Sequence, residues 1–300
     1  MKKLIVIGGP TACGKTDLAI QLALHFNTAI LSADSRQCYR ELSIGVAKPS
    51  NEQLLQVPHY FINSHSIAEH VNAGVYERYA LDTLQILFKQ HDVVICVGGT
   101  GLYIRALCQG VDDMPSVDEQ IRQTITEQFQ QLGLSWLQTE IQKADPDFYL
   151  TVDIANPNRL IRGLSFIQSI GQSILKFRTA SAKKRDFDIE AYYINPPREL
   201  LYQRINQRVD AMIREGLENE VSSLQSFRQE KNLQTVGYQE WWPYFDQQQS
   251  REQVVQMIKQ HTRHYAKRQL TWFRNDSMFR AFTLYSTQGM MEEFLQKANW

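Results

Sequence analysis

Over the first 110 residues, short continuous apolar runs alternate with stretches in which apolar residues recur at helical spacing. Lys3-Leu4-Ile5-Val6-Ile7 is a compact β-branched run and predicts a strand, and Asp17 to Phe26 repeats apolar positions with helical period. Thr28 to Ser32 predicts a second strand, running into Ala33-Asp34-Ser35-Arg36-Gln37. His91 to Val97 predicts a third, ending in Gly98-Gly99-Thr100-Gly101. This alternation predicts an α/β fold, a parallel sheet with helices on both faces, in which ligands gather at the carboxyl ends of the strands. The second strand is read as the neighbour of the first.

From about Met114 to Asp188 the period changes. Val117 to Leu132, Ser135 to Lys143 and a segment opened by Asn156-Pro157 all read as helix, with no strand between them. This predicts a helical insertion over 114–188, between a first core part at 1–113 and a second at 189–300. The second part holds a strand at Ile189 to Ile194 and a polar helix from Arg198 to about Glu215, opened by Asn195-Pro196-Pro197. A long helix at Glu252 to Phe273 and a short strand at Phe282 to Tyr285 follow, with Gln247 to Gln249 as an exposed turn.

Composition narrows the picture modestly. The chain has 300 residues, 43% of them hydrophobic, enough for a sizeable core. Its apolar runs fall short of the roughly 18 residues that a membrane span needs, and its start carries no signal-peptide pattern, so a cytoplasmic location is expected. Cys13, Cys38, Cys96 and Cys108 are scattered without a C-x-x-C pair, which predicts free thiols and no zinc site. The zero net charge argues against a strongly basic nucleic-acid binder. Between Arg251 and Arg280, however, seven cations stand against Glu252 and Asp276, a local +5.

The candidate chemistry begins at Gly9-Pro10-Thr11-Ala12-Cys13-Gly14-Lys15-Thr16, a complete G-x-x-x-x-G-K-[ST] loop between the first strand and helix. Backbone N–H groups, the Lys15 charge and the helix N-terminus suit a di- or triphosphate, and the Thr16 hydroxyl suits Mg²⁺. The strand that could end in a metal-holding acid ends in Gly98-Gly99-Thr100, which favours a transferase over a motor ATPase. Asp34 then reads either as the group that handles an acceptor or as the first residue of an Asx turn. Arg204 and Arg208 lie i, i+4 where a lid helix would supply cations, or on a solvated face. Lys259, Arg263 and Lys267 form one stripe near Tyr265, Trp272 and Phe273, suited to RNA or to solvent. Arg159 and Arg162 carry the same two readings.

Taken together, these segments resemble the tRNA dimethylallyltransferase family, also called isopentenyl-tRNA transferase. The resemblance is carried by the loop at Gly9 to Thr16, Asp34-Ser35-Arg36-Gln37-Cys38-Tyr39-Arg40, Ile44-Gly45-Val46-Ala47-Lys48-Pro49 and Val97 to Leu107. Asn158-Arg159-Leu160-Ile161-Arg162, Thr235-Val236-Gly237-Tyr238 and Ala266 to Arg274 extend it through most of the chain. It implies a P-loop NTPase-like core and transfer of the dimethylallyl group from dimethylallyl diphosphate to N6 of the adenosine 3′ to a tRNA anticodon. By similarity, Asp34 is the general base, Lys15, Thr16 and Arg208 serve the diphosphate, and Thr16 serves Mg²⁺. Asp34 to Gln37 and Thr100 would line the base pocket. Arg122, Asn158 to Arg162, Thr235 to Tyr238, and Lys267, Arg268, Gln269, Trp272 and Arg274 would hold the tRNA, whose anticodon stem the insertion would clasp. Cys13 stands where the family commonly has Ser, and the zinc finger of eukaryotic members is absent, implying a monomeric bacterial-type enzyme. The rival readings are a small-molecule or nucleotide kinase and a catalytically silent RNA-binding protein.

Overall fold

The computed structural model describes residues 2–178 and 182–297; the expected spans at 114–188 and 189–300 include 179–181 and 298–300, which lie outside them. In chain order the elements are β1 (Lys3–Gly8), α1 (Lys15–His25), β2 (Ile30–Ser32), α2 (Asn51–Gln56), β3 (His59–Tyr60), α3 (Ala73–Leu87), β4 (Val93–Gly98) and α4 (Gly101–Gln109). Next come α5 (Glu119–Ala144), α6 (Pro146–Thr151) and α7 (Pro157–Ile170). β5 (Asp188–Tyr193), α8 (Arg198–Glu215), α9 (Leu217–Ser223), α10 (Trp242–Phe245), α11 (Arg251–Arg274), β6 (Phe279–Ala281) and α12 (Thr287–Lys297) complete the series.

The chain divides into two compact units, one made of Met1–Gly110 with Lys183–Trp300 and the other of Val111–Ala182. The larger unit holds a six-stranded, wholly parallel sheet in the order β3-β2-β4-β1-β5-β6. Period-2 alternation sorts its side chains. Leu4 and Val6 of β1 join the core beneath α3 and α4, while Ile5 and Ile7 join the core with Leu18 and Leu22 of α1 and Phe294 of α12. Because α1 leaves β1 toward one face and α4 leaves β4 toward the other, a topological switch point opens between these neighbouring strands. That is where an open parallel sheet binds its ligands.

The structure differs from the sequence reading in three places. β2 neighbours β4 and β3, so β4 lies between it and the loop strand. The last strand falls at Phe279–Ala281 instead of Phe282 to Tyr285. Phe282 N donates one further bond to Tyr193 O, but the Thr283 and Leu284 amides donate to the Glu293 carboxylate, which draws the chain off the sheet. The residues 183–188 stay with the sheet because Arg185 ion-pairs with Glu77 at 2.7 Å, both side chains only 9% exposed, and also donates to the Leu107 and Ala106 carbonyls.

The smaller unit has its own apolar core of Ile125, Leu137, Ile141, Phe148, Leu160 and Leu164 among others. The two helices read at Val117 to Leu132 and Ser135 to Lys143 fall on α5, which starts two residues later, at Glu119, and is interrupted at Gly133, whose φ of 79° is non-helical. The Asn156 side chain accepts from Arg159 N and Pro157 opens α7.

Candidate active site

At the switch point the chain leaves β1 through Gly9 and enters α1 through Gly14, with φ of 150° and 91°. Lys15 Nζ, partly buried against the loop, donates to Pro10 O at 2.9 Å, and Arg208 Nη1 donates to Thr11 Oγ1 at 3.2 Å. Burial pushes the Lys15 ammonium below its ordinary value; Cys13 and Asp34 act the other way, and Arg208 adds to the fall. Arg208 is likewise lowered by burial, with Asp34 opposing, and the Cys13 thiol is pushed up by burial. Two partly buried cations, with no carboxylate in salt-bridge contact among the described residues, make a cradle suited to an anion.

Gln269 of α11 spans the switch point. Its Oε1 accepts from Thr11 N and its Nε2 donates to Gly99 O, both at 2.9 Å. The glycines make room for this helix. A Cβ on Gly8, Gly99 or Gly101 would fall 2.2–2.3 Å from Phe273, Gln269 or Trp272. A Cβ on Gly98 would meet Ala33 O at 2.2 Å, so the bare end of β4 lets the chain after β2 cross over it. Asp34 therefore reaches the phosphate loop although a strand intervenes.

Asp34 Oδ1 accepts from Arg36 N at 2.9 Å and Gln37 N at 3.3 Å, a full Asx turn, while Oδ2 receives no hydrogen bond from the described residues. Both readings of Asp34 are thus compatible, one oxygen for each. Ser35 N donates to Thr100 Oγ1, and Gln37 Nε2 donates to the Val46 and Ala47 carbonyls, holding the loop that carries Lys48. Arg36 Nε is buried without a partner.

Two cavities share Lys15, Thr16, Ala47 and Arg208 as walls. The larger, about 610 Å³, runs along Cys13 to Asp17 toward Lys48, Arg204 and Thr287. The smaller, about 230 Å³, joins Thr11 and Asp34 to an apolar side. A diphosphate at the shared wall would have the first for its oxygens and the second for what it carries.

Comparison with known proteins decides the lineage. The model of the IPP transferase family matches residues 37–276. The chain belongs to this family. It is similar to the tRNA dimethylallyltransferase of Cytophaga hutchinsonii, 44% identical over 281 residues covering 94% of this chain and 92% of that one. A second relative, tRNA dimethylallyltransferase 1 of Bacteroides thetaiotaomicron, is 43% identical over 94% of this chain and 92% of its own. Among solved structures, the tRNA isopentenylpyrophosphate transferase of Bacillus halodurans superposes with a TM-score of 0.72 at 31% identity, covering 100% of this chain and 96% of that one. A eukaryotic dimethylallyltransferase acting on tRNA gives 0.75 at 25% identity, over 91% and 70%.

In this IPP transferase the expected site residues separate into groups. Thr11, Lys15, Thr16, Asp34 to Gln37, Arg208, Thr235 to Gly237 and Gln269 meet around the smaller cavity. Tyr238 does not reach a surface. It is fully buried and its hydroxyl donates to Glu220 at 2.6 Å, which with burial raises the phenol well above its ordinary value. Leu160 is fully buried in the core of the smaller unit, whereas Asn158, Arg159 and Arg162 share an exposed face of α7 and Arg122 pairs with Glu119. Of the basic stripe on α11, Lys259 pairs with Asp210 at 2.6 Å and Arg263 donates to Asn206, so both face α8 instead of solvent. Lys267 and Arg274 are exposed and border a third cavity on the side of α11 turned away from Gln269. Trp272 packs under the Arg105 guanidinium, while Arg268 lies exposed over Tyr265, a wall of the smaller cavity.

Sequence reasoning missed Glu220, whose carboxylate accepts from Ile44 N at 2.8 Å, Gly45 N at 3.1 Å and the Tyr238 hydroxyl, fastening two walls of the cavity. A polar residue on a short helix gives no periodic signal of such a role. Glu220→Gln sets an amide against these donors, and each orphaned group costs about 1–3 kcal/mol. Its urea midpoint is expected to fall at unchanged m-value; an unchanged midpoint would show that the walls hold without it.

Proposed function

We propose that this protein transfers the dimethylallyl group of dimethylallyl diphosphate to N6 of the adenosine 3′-adjacent to the anticodon of tRNA, releasing diphosphate. The observation that carries this reading is the smaller cavity. A carboxylate with one unbonded oxygen, two partly buried cations and an apolar wall surround one small space. A kinase handling a polar acceptor has no use for that wall, and the acid expected at the end of its loop-side strand is replaced by Gly98 and Gly99.

The adenine amine is a poor nucleophile because its lone pair is delocalised into the ring. Asp34 Oδ2 binds it and takes its proton as the N6–C1 bond forms. The C1–O bond breaks with its electron pair going to the diphosphate. Lys15, Arg208 and the amides of Gly9 to Thr16 are in place to stabilise that charge without reorganising. The Thr16 hydroxyl suits Mg²⁺: it makes no hydrogen bond to a described residue, and no group of three His, Cys, Asp or Glu surrounds it among the described residues. A magnesium ion bound mainly by substrate phosphates and water needs only such a ligand. When bound, the ion neutralises charge on the leaving diphosphate.

The base must leave its stack to reach Asp34, at a cost of a few kcal/mol. Arg36, with its unpartnered Nε, Thr235 and Gly237 line the space that receives it. We assign the RNA backbone to the exposed cations Lys267, Arg268 and Arg274, and the anticodon stem to Arg122, Asn158, Arg159 and Arg162, in a monomer acting in the cytoplasm. Among the described residues no helix is long and apolar enough to cross a membrane.

The deciding experiment incubates the protein and Mg²⁺ with unmodified tRNA plus dimethylallyl diphosphate or ATP and weighs the nucleosides. Prenylated adenosine is expected with the first donor only, and its absence would reject the reading. For the RNA face, reversing charge at Lys267 and Arg268 should weaken tRNA binding and reduce the slope of log K against log salt by about 1.5–2. An unchanged slope would remove α11 from that face.

A further inference from the structure

The smaller cavity changes character along α8. Arg208 stands at its phosphate end, and Val209 and Met212, up to one turn further along, are apolar; Val46, Val236 and Ile258 complete the apolar side. Arg208 and Met212 are four residues apart, hence on one face of the helix and about 6 Å apart along its axis.

We propose that Met212, backed by Val209, Val236 and Ile258, measures the prenyl chain and restricts this enzyme to a five-carbon donor. The proposal rests on the transferase reading above. With the diphosphate held at Lys15 and Arg208 and the amine at Asp34, C1 lies between them and the rest of the chain must turn into the apolar side. From C1 to the farther methyl of a dimethylallyl group there are three C–C bonds, about 4 Å of reach, less than the axial separation of Arg208 and Met212. A ten-carbon geranyl chain has seven such bonds, about 9 Å, more than that separation.

The walls differ in what they can yield. Val209 and Ile258 are 2% and 1% exposed and belong to the core, so their positions are fixed by packing on the far side as well. Met212 is only partly buried and unbranched. Val46 and Val236 are partly buried too but β-branched and stiff, so Met212 is the part of the wall whose size changes with least disturbance, and the position where chain-length preference is set.

The test uses the full-length protein with Mg²⁺, unmodified tRNA and equimolar dimethylallyl and geranyl diphosphates, reading the ratio of ten-carbon to five-carbon adenosine by mass. Both products form in one tube, so a smaller folded fraction cancels from the ratio. Wild type is expected to give the five-carbon product almost alone. Met212→Ala should raise the ratio at least tenfold, and Val236→Ala, on the same apolar side, should raise it in the same direction. Met212→Phe should raise KM for dimethylallyl diphosphate while leaving KM for tRNA within about twofold. A ratio unmoved in both alanine variants, with five-carbon transfer intact, overturns the ruler alone. No five-carbon product from wild type overturns the transferase reading, and the ruler with it.

Discussion

Asp34→Asn is expected to lower the rate of prenyl transfer by about 10²–10⁴-fold while tRNA affinity stays within a few-fold. Asparagine is the informative replacement because Asp34 has two tasks. An amide oxygen can still accept from Arg36 N and Gln37 N, so the turn that shapes the base pocket survives. What disappears is the oxygen that takes the N6 proton. Asp34→Ala would remove both and confuse loss of a base with collapse of a loop. Single-turnover transfer at saturating donor, with tRNA binding measured separately, reads the two apart. Near-normal turnover in the asparagine variant would leave Asp34 as a turn residue only.

Arg208→Ala is expected to slow transfer at saturating donor by about 10²–10³-fold, the loss that follows when one preorganised donor is withdrawn from a developing oxyanion. The accompanying change in stability should have the opposite sign to most arginine truncations. The guanidinium is partly buried, that burial lowers it below its ordinary value, and its hydrogen bond to a described residue goes to a neutral hydroxyl. Its desolvation in the unliganded protein is thus poorly offset, and removing it should leave the melting temperature unchanged or higher. Arg208→Lys should restore part of the rate, as a point charge without the planar fork. A variant that is slow but melts well below wild type would mark Arg208 as a structural cation.

Much of the frame could be read from the chain because each signal was local. The strand, loop and helix from Lys3 to Phe26 depend on a run of β-branched residues and the phosphate-loop spacing, and both halves of α5 followed from periodicity with a glycine between them. The two-residue strand β3 and the place of β2 show why the rest was not legible. Two residues carry too little pattern, and the position of β2 outside β4 is set by packing between distant segments. The site followed the same division. Lys15, Thr16 and Asp34 sit in recognisable spacings, but Glu220 and the apolar wall at Met212 come from turns of helix that look like ordinary polar or mixed sequence. The stripe on α11 misled for a related reason. Charges at i, i+4 and i+8 define a face, and only tertiary structure shows that Asp210 and Asn206 stand opposite two of them.

The insertion of Gln269, Trp272 and Phe273 into the room left by Gly99, Gly101 and Gly8 also bears on biosynthesis. The strands around the phosphate loop are complete in the growing chain long before α11 leaves the ribosome, and domains generally fold as units as the chain emerges. Until those three side chains arrive, the glycine-lined end of the sheet has no filling and Thr11 has no partner spanning it to Gly99. The pocket is thus assembled only once α11 has been made, and a chain halted before Arg251 has the phosphate-loop sequence without the enclosure that would let it act on RNA.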